Sequence, residues 1–305
     1  MVPLFIIAAI KPKAINPRNV DIKEIFVSND KGQMEYMINP TGHWVGDLLL
    51  FGDRVLQKFE HYLPKALERK GIDKALNFIE KRLNGEEGLG GIFPAIANSL
   101  MAFSALGYEK THPHYLAARG AIDRLLVFNE IEDVGYCQPC LSPVWDTGLA
   151  VHAMMESGVQ TGDIHLDKAN QWLVGRQILE VDGDWVEKRK GLRPGGWAFQ
   201  YWNDFYPDVD DTAVVVMALH RANREKYADS ISRATQWVIG MQCKNGGWGA
   251  FDADNEHYLL QHIPFADHGA LLDPPTADVS ARCLSMLTQI GFSRGNKVVD
   301  RALKY

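Results

Sequence analysis

The chain of 305 residues is 46% hydrophobic, enough for one large or two ordinary domains with a buried core, and carries a formal net charge of -6 at neutral pH. Lys and Arg are scattered rather than massed, which leaves no electrostatic footprint for a phosphate backbone and argues against nucleic acid as a partner. Four cysteines, Cys137, Cys140, Cys243 and Cys283, are too few for a disulfide framework at this length and point to a reducing compartment.

The opening "MVPLFIIAAI" has no cationic start and no small-residue cleavage site, and it is too short to span a bilayer. It reads as an internal buried helix, with Met1 lying in the middle of an ancestral protein. Four later segments share a beginning: "KALNFIEKRLNGEEGLGGIF" from Lys74, "RGAIDRLLVFNE" from Arg119, "DKANQWLVGRQ" from Asp167 and "SRATQWVIGMQCKNGGWGAFD" from Ser232. The best copies run from a small residue to an aromatic, a Gln and a Gly-Gly-Trp turn.

A second set interleaves with the first: "FPAIANSLMAFSALG", "VWDTGLAVHAMMESG", "VDDTAVVVMALHRAN" and "ADVSARCLSMLTQIG". Asp146, Asp211 and Asp278 take matching places in it, 65 and 67 residues apart. One helix per repeat is apolar nearly all round and one is amphipathic, which predicts an all-α fold of inner helices covered by outer ones, as in an α/α barrel or toroid. Gly148, Ala150, Ala213, Ala218 and Ala281 permit close approach between the inner helices, and turns carrying Trp197 and Trp248 tie outer to inner. "GGWAFQYWND" is expected to be a short extended piece, and no strand ladder is evident. "NKVVDRALKY" repeats the start of an outer helix, so the chain looks cut at both ends.

"CQPC" at 137–140 has no second pair and reads as plain thiols. The stretch "FYPDVDDTAVVVMALHRA" gathers Asp208, Asp210 and Asp211 at the mouth of an apolar helix. Crowding and burial keep at least one such carboxyl protonated, while the helix dipole favours an anion. The expected division leaves Asp208 and Asp211 anionic or hydrogen-bonded and Asp210 protonated, facing a cavity. Plain helix capping by these aspartates is the alternative, and a Mg2+ site is a third, for which no second acidic set completes the ligands. The aromatics just upstream, Trp197, Phe199, Tyr201, Trp202, Phe205 and Tyr206, suit acid donation to an alkene and stabilisation of a carbocation by ring faces.

"YPDVDDTAVVV" resembles the acid motif of bacterial squalene-hopene cyclases, and "ATQWVIGMQCKNGGWGAFD" is similar to the glutamine-tryptophan repeat of that superfamily. "SPVWDTGLAV", "GDWVEKRKGLRPGGWAFQ", "QHIPFADHG" and "DPPTADVSAR" also match, so the likeness covers essentially the whole chain. The resemblance implies parts of two α/α barrel domains around an apolar cavity: residues 1–140 the second half of one barrel, 141–305 the first half of the other with the acid motif. It implies Asp210 as the acid that protonates squalene, with Asp208 and Asp211 as flanking partners. Trp145, Phe199 and Phe251 match cavity aromatics, Phe265 a constriction of the substrate channel, and Asp278 the start of an inner helix.

Arg282 stands where some members have a His. A guanidinium there can pair with Asp208 or Asp211 as a fixed counter-ion, but it cannot relay a proton. Phe93 stands where some members have a Gln that helps hold water, leaving hopene against its hydrated alcohol open. The resemblance further implies no metal or cofactor, peripheral (monotopic) attachment to the cytoplasmic face of a bacterial membrane, and a second copy of the chain as a candidate partner.

Three other readings stay open. A class II diterpene cyclase would use the same acid motif. A prenyltransferase-like toroid would need zinc, and His257, His262 and His268 have no Cys at ligand spacing. Last, the chain alone is expected to be inert and poorly expressed, exposing inner faces such as "AVVVMAL".

Overall fold

The computed structural model describes residues 1–13, 15–21, 38–59, 62, 64–264 and 271–305, and within them the chain is mostly helical. Most of its buried apolar residues fall into two separate cores, one running from Ile6 to Leu125 and one from Val144 to Leu287. The expected all-α class holds, with two short hairpins added, and among the described residues the helices form no closed ring.

In the first core α1 (Val2–Ile10) lies on α3 (Lys65–Arg82) and α4 (Phe93–Ala105), and α5 (Pro113–Leu125) covers α4. Ile6, Ile79, Ile96 and Phe103 meet there, fully buried. The sequence predicts a buried α1, yet only Pro3 and Ile6 are enclosed, because α3 and α4 cover one side; Leu4 and Phe5 stand exposed. α2 (Trp44–Phe59) stands apart from this core and touches the 3-10 turn Tyr258–His262.

In the second core α6 (Pro143–Glu156), α8 (Val209–Asn223) and α10 (Ala277–Gln289) lie side by side with α8 in the middle. α7 (Ile164–Val174) packs on α6 and α8, α9 (Ala228–Met241) on α8, and α11 (Lys297–Ala302) on α10. A Cβ at Gly148 would come within 3.1 Å of Val214, so its absence lets α6 and α8 approach. This middle position corrects the expectation that "AVVVMAL" is exposed: from Ala213 to Leu219 every residue is buried apart from half-buried Met217. The exposed inner faces belong to the flanking helices, at Leu149, Ala150 and Ala281.

The Gln and Trp of the repeat have a physical job. Trp197 donates its indole N–H to the Leu173 carbonyl (2.6 Å) and its backbone N–H to Thr212 Oγ1 (2.9 Å), clasping α7 to α8. One repeat later Trp248 makes the same pair to Val238 (2.7 Å) and Ser280 Oγ (2.9 Å), clasping α9 to α10. The Gln177 amide donates to Gly195 (2.8 Å) and to Ser230 (3.0 Å) near the start of α9, and Gln242 donates likewise to Gly246 (2.8 Å) and to Val298 (2.9 Å) at the start of α11. Each Gln therefore closes its own turn and holds the next outer helix. Gln242→Leu is expected to cost about 1–3 kcal/mol, since it leaves two carbonyls without their donor. The readout is the urea unfolding midpoint, and an unchanged midpoint would count against this fastening role.

The hairpins were not foreseen. β1 (Leu83–Asn84) pairs with β2 (Gly88–Leu89), and β3 (Leu126–Asn129) with β4 (Val134–Cys137), both antiparallel. "RGAIDRLLVFNE" is thus the end of α5 running into a strand. Its "LVFN" favours extended backbone, and Asn129 Oδ1 accepts the Ile131 and Glu132 amides to close the turn. Cys137 ends β4, and it and Cys140 are free thiols. The two halves meet beside these turns. Arg82 pairs with Asp184 and lays its guanidinium 3.7 Å from the Phe78 ring centre and 4.9 Å from that of Phe205, while Glu87 accepts the Trp202 amide (2.8 Å).

Candidate active site

The segment leading to α8 is held by an isolated antiparallel bridge, in which the Asp208 N–H donates to the Trp197 carbonyl (2.7 Å). Asp208 has extended dihedrals and caps α8, its Oδ1 accepting the amides of Asp210 (2.7 Å) and Asp211 (3.3 Å). The capping alternative is therefore correct for this one carboxylate. Asp211 points into the core and is 2% exposed, whereas Asp146 and Asp278, at the matching places of α6 and α10, are exposed. Only the middle inner helix turns that position inward, because only it has inner neighbours on both sides.

Asp210 is half-buried, and its Oδ2 accepts from Arg282 Nη1 at 2.6 Å, while its Oδ1 is buried without a hydrogen-bond partner. The Arg282 guanidinium carbon also lies 5.0 Å from the centre of the Trp145 ring. The counter-ion thus pairs with Asp210, not with Asp208 or Asp211 as expected. The reason is position. Asp208 is occupied at the cap, Asp211 is directed into the core, and Asp210 is left facing α10.

Proton occupancy shifts in the same sense. Burial raises the Asp211 carboxyl to about 9, helped by the charges of Asp208 and Asp210 and opposed by Arg282. Burial likewise raises Asp208 to about 7, opposed by its two capping amides. Asp210 is also raised, because burial outweighs the pull of Arg282 and Asp278 adds a push upward. Asp211, expected as an anionic or hydrogen-bonded member, is instead the most firmly protonated of the three, with an Oδ1 lacking a partner. Neutral pH thus finds one neutral carboxyl in the core, one cap near its midpoint, and one carboxyl facing a fixed cation.

The other candidates are dispersed around this cluster. The Phe199 carbonyl accepts the Val144 amide (3.4 Å), which joins it to the helix of Trp145. Phe251 is 41% exposed, with its backbone fixed against Asp273. Asp278 opens α10 one turn before Arg282, and its carboxyl is lowered chiefly by a hydrogen bond with Thr276. Phe265 and His268 lie outside the described residues. Phe93 begins α4 and donates its N–H to Pro139 (2.8 Å). His262 stacks on His43 with ring centres 4.0 Å apart, and among the described residues no three His, Cys, Asp or Glu side chains are grouped to hold a metal ion. A cavity of about 250 Å³ at the junction of the halves, lined by Glu87, Arg124, Tyr201 and Trp202, is formed by residues other than those of the acid cluster. Sequence reasoning passed over Asp273, for which the rigid "DPP" was the available signal, and the exposed apolar face of α2.

Residues 1–130 match the family described as the squalene-hopene cyclase N-terminal domain, and residues 141–305 match the squalene-hopene cyclase C-terminal domain. The chain belongs to the squalene-hopene cyclase family. It is 50% identical to the squalene-hopene cyclase of Zymomonas mobilis over its whole length, covering 47% of that relative. It is 49% identical to a probable squalene-hopene cyclase of Sinorhizobium fredii, again over the whole chain and 48% of the relative. A squalene-hopene cyclase of Schizosaccharomyces japonicus is 47% identical over 99% of the chain and 47% of its own length. The chain spans about half the length of the curated relatives it matches. The acid cluster lies within the C-terminal match and Phe93 within the N-terminal one.

Proposed function

We propose that the chain carries the acid half of a triterpene cyclase that protonates squalene and cyclises it through carbocations to hopene or its hydrated alcohol. The observation that supports this most is the asymmetry of Asp210. One carboxyl oxygen is held by Arg282, and the other is buried with no partner. A proton on that free oxygen has no hydrogen-bond acceptor to stabilise it. It passes to a terminal alkene carbon as the O–H bond breaks and the π pair forms a C–H bond. Arg282 then stabilises the carboxylate left behind, a preorganised charge placed where negative charge develops. Asp211, being neutral, adds no anion that would recapture the proton. The cation formed at the neighbouring carbon is attacked by the next double bond, with Trp145, Phe199 and Phe251 as aromatic faces along its path. Loss of a proton or addition of water ends the sequence.

In this reading residues 1–140 supply the second half of one α/α barrel and 141–305 the first half of another, in keeping with two separate cores. A full-length cyclase in which residues 1–305 replace the corresponding half of the Zymomonas mobilis relative, given squalene in detergent, should form hopene detectable by gas chromatography. A folded chimera without product contradicts the reading.

Attachment to the cytoplasmic face of a membrane belongs to the same proposal, and contact with a lipid surface is supported by α2. Trp44, Leu48, Phe51, Val55 and Phe59 follow helical spacing and are all exposed, while Val45 and Leu50 turn inward. Among the described residues no helix is long and apolar enough to cross a membrane. Replacing Trp44, Leu48 and Phe51 together by Ser is expected to reduce co-flotation with phospholipid vesicles at least about tenfold, given ~1.5–3 kcal/mol for each large apolar side chain. Undiminished flotation would remove α2 from the contact.

A further inference from the structure

Asp273 is passed over by every role assigned above, yet it is the most heavily bonded carboxylate near the acid cluster. Its Oδ1 accepts the Ala250 amide at 3.1 Å, and its Oδ2 accepts those of Phe251 and Asp252, both at 2.6 Å. Three successive N–H groups converging on one anion form a nest, and charge-assisted bonds of this kind are the strong ones. The fit is tight: a Cβ on Gly249 would come within 2.7 Å of the Asp273 carbonyl and 3.0 Å of its Oδ2. Pro274 and Pro275 follow, each restricting its own φ, so the carboxylate is presented from a stiff support.

The turn held in this way reaches the acid. The Ala250 carbonyl accepts the Val209 N–H at 2.7 Å, and Val209 is the first residue of α8, between Asp208 and Asp210. Nine residues beyond Asp273, on α10, Arg282 grips Asp210. One stretch of chain therefore holds the acid turn at two places, by its backbone through the 250–252 turn and by its side chain through the guanidinium. We propose that Asp273 is the positioning residue that sets the register of the first turn of α8 against α10, and thereby the meeting of Asp210 with Arg282. Its charge acts on the cluster as well, being one of the influences that raise Asp208. The titratable and charged groups around that turn are Asp208, Asp210, Asp211, Asp252, Asp273, Asp278, Arg282 and the thiol of Cys283.

This inference rests on the proposed role of the cluster only for its bearing on catalysis, and neither readout below passes through squalene turnover. Failure of hopene formation and failure of the positioning role are therefore separable. In the 305-residue chain, Asp273→Asn keeps the side-chain shape and removes the charge. Hydrogen exchange at the amides of 250–252, each losing a charge-assisted bond, is expected to quicken about tenfold or more, and Val209, whose bond to the Ala250 carbonyl depends on that turn, is expected to quicken with them. The Asp208 carboxyl, followed by 13C NMR, is expected to titrate at lower pH than in the parent chain. Val209→Pro is the second variant, because proline is tolerated at the first helical position and the extended Asp208 suits a following proline. It cuts the link to Ala250 without touching Asp273. Amides 250–252 should stay protected while the cluster titration shifts. If Asp273→Asn quickens exchange only at 250–252, leaving Val209 and the Asp208 titration as they were, Asp273 is a local turn anchor and the inference is overturned; an unmoved titration in Val209→Pro overturns it equally.

Discussion

Asp210→Asn in the full-length chimera is expected to lower squalene cyclisation by about 10²–10⁴-fold, the range a positioned general acid contributes. Asparagine keeps the outline of the side chain and can still accept from Arg282 through its amide oxygen, but it has no acidic proton to donate. The loss should fall on kcat, with KM little changed, because the carboxyl acts on the reacting carbon rather than on the bulk of the hydrocarbon. Unfolding free energies of the two proteins should agree to within about 1 kcal/mol, since Asp210 is half-buried and neither caps nor packs the helix. Retention of activity within a factor of a few would move the acid to another residue.

The second large effect concerns stability against pH. Asp211 and Asp208 bind protons more tightly in the folded chain, at about 9 and about 7, than an ordinary Asp carboxyl does. Carboxyls raised in this way contribute stability that is whole below their unfolded pKa, near 4, and is lost as pH climbs through the folded values. The unfolding free energy from urea titration is therefore expected to fall as pH rises from 5 to 9. Asp211→Asn is neutral at every pH and should flatten most of that slope, becoming more stable than the parent at pH 9. A parent whose stability rises across this window, or a variant with the parent's slope, would show that the buried carboxyl does not carry the proton assigned to it.

Much of the architecture was legible because its signals are local. Helical periodicity separates inner from outer helices, and the Gln and Trp of each repeat do in space what their spacing suggests: Trp197 and Trp248 make matching indole and amide bonds, and Gln177 and Gln242 matching amide bonds. What stayed hidden depends on contacts far apart in sequence. Which aspartate Arg282 meets is decided by the packing of α10 against α8, across 72 residues. The depth of Asp211 follows from α8 lying between two inner neighbours, which motif spacing does not encode, since Asp146 and Asp278 share the spacing and remain exposed. The role of Asp273 lies in backbone amides, and those leave no trace in side-chain identity. The β3–β4 hairpin was missed because the helix-like start of "RGAIDRLLVFNE" outweighed its extended, turn-forming end.

A proton supplied from a carboxyl in exchange with water, then passed to carbon, marks the product for good. With squalene turned over by the chimera in D2O, the hopene formed should carry one deuterium, bound to the carbon protonated at the start, and mass spectrometry should find it one mass unit heavier. Hopene that forms at an undiminished rate with no solvent deuterium would contradict initiation by an acid of this cluster.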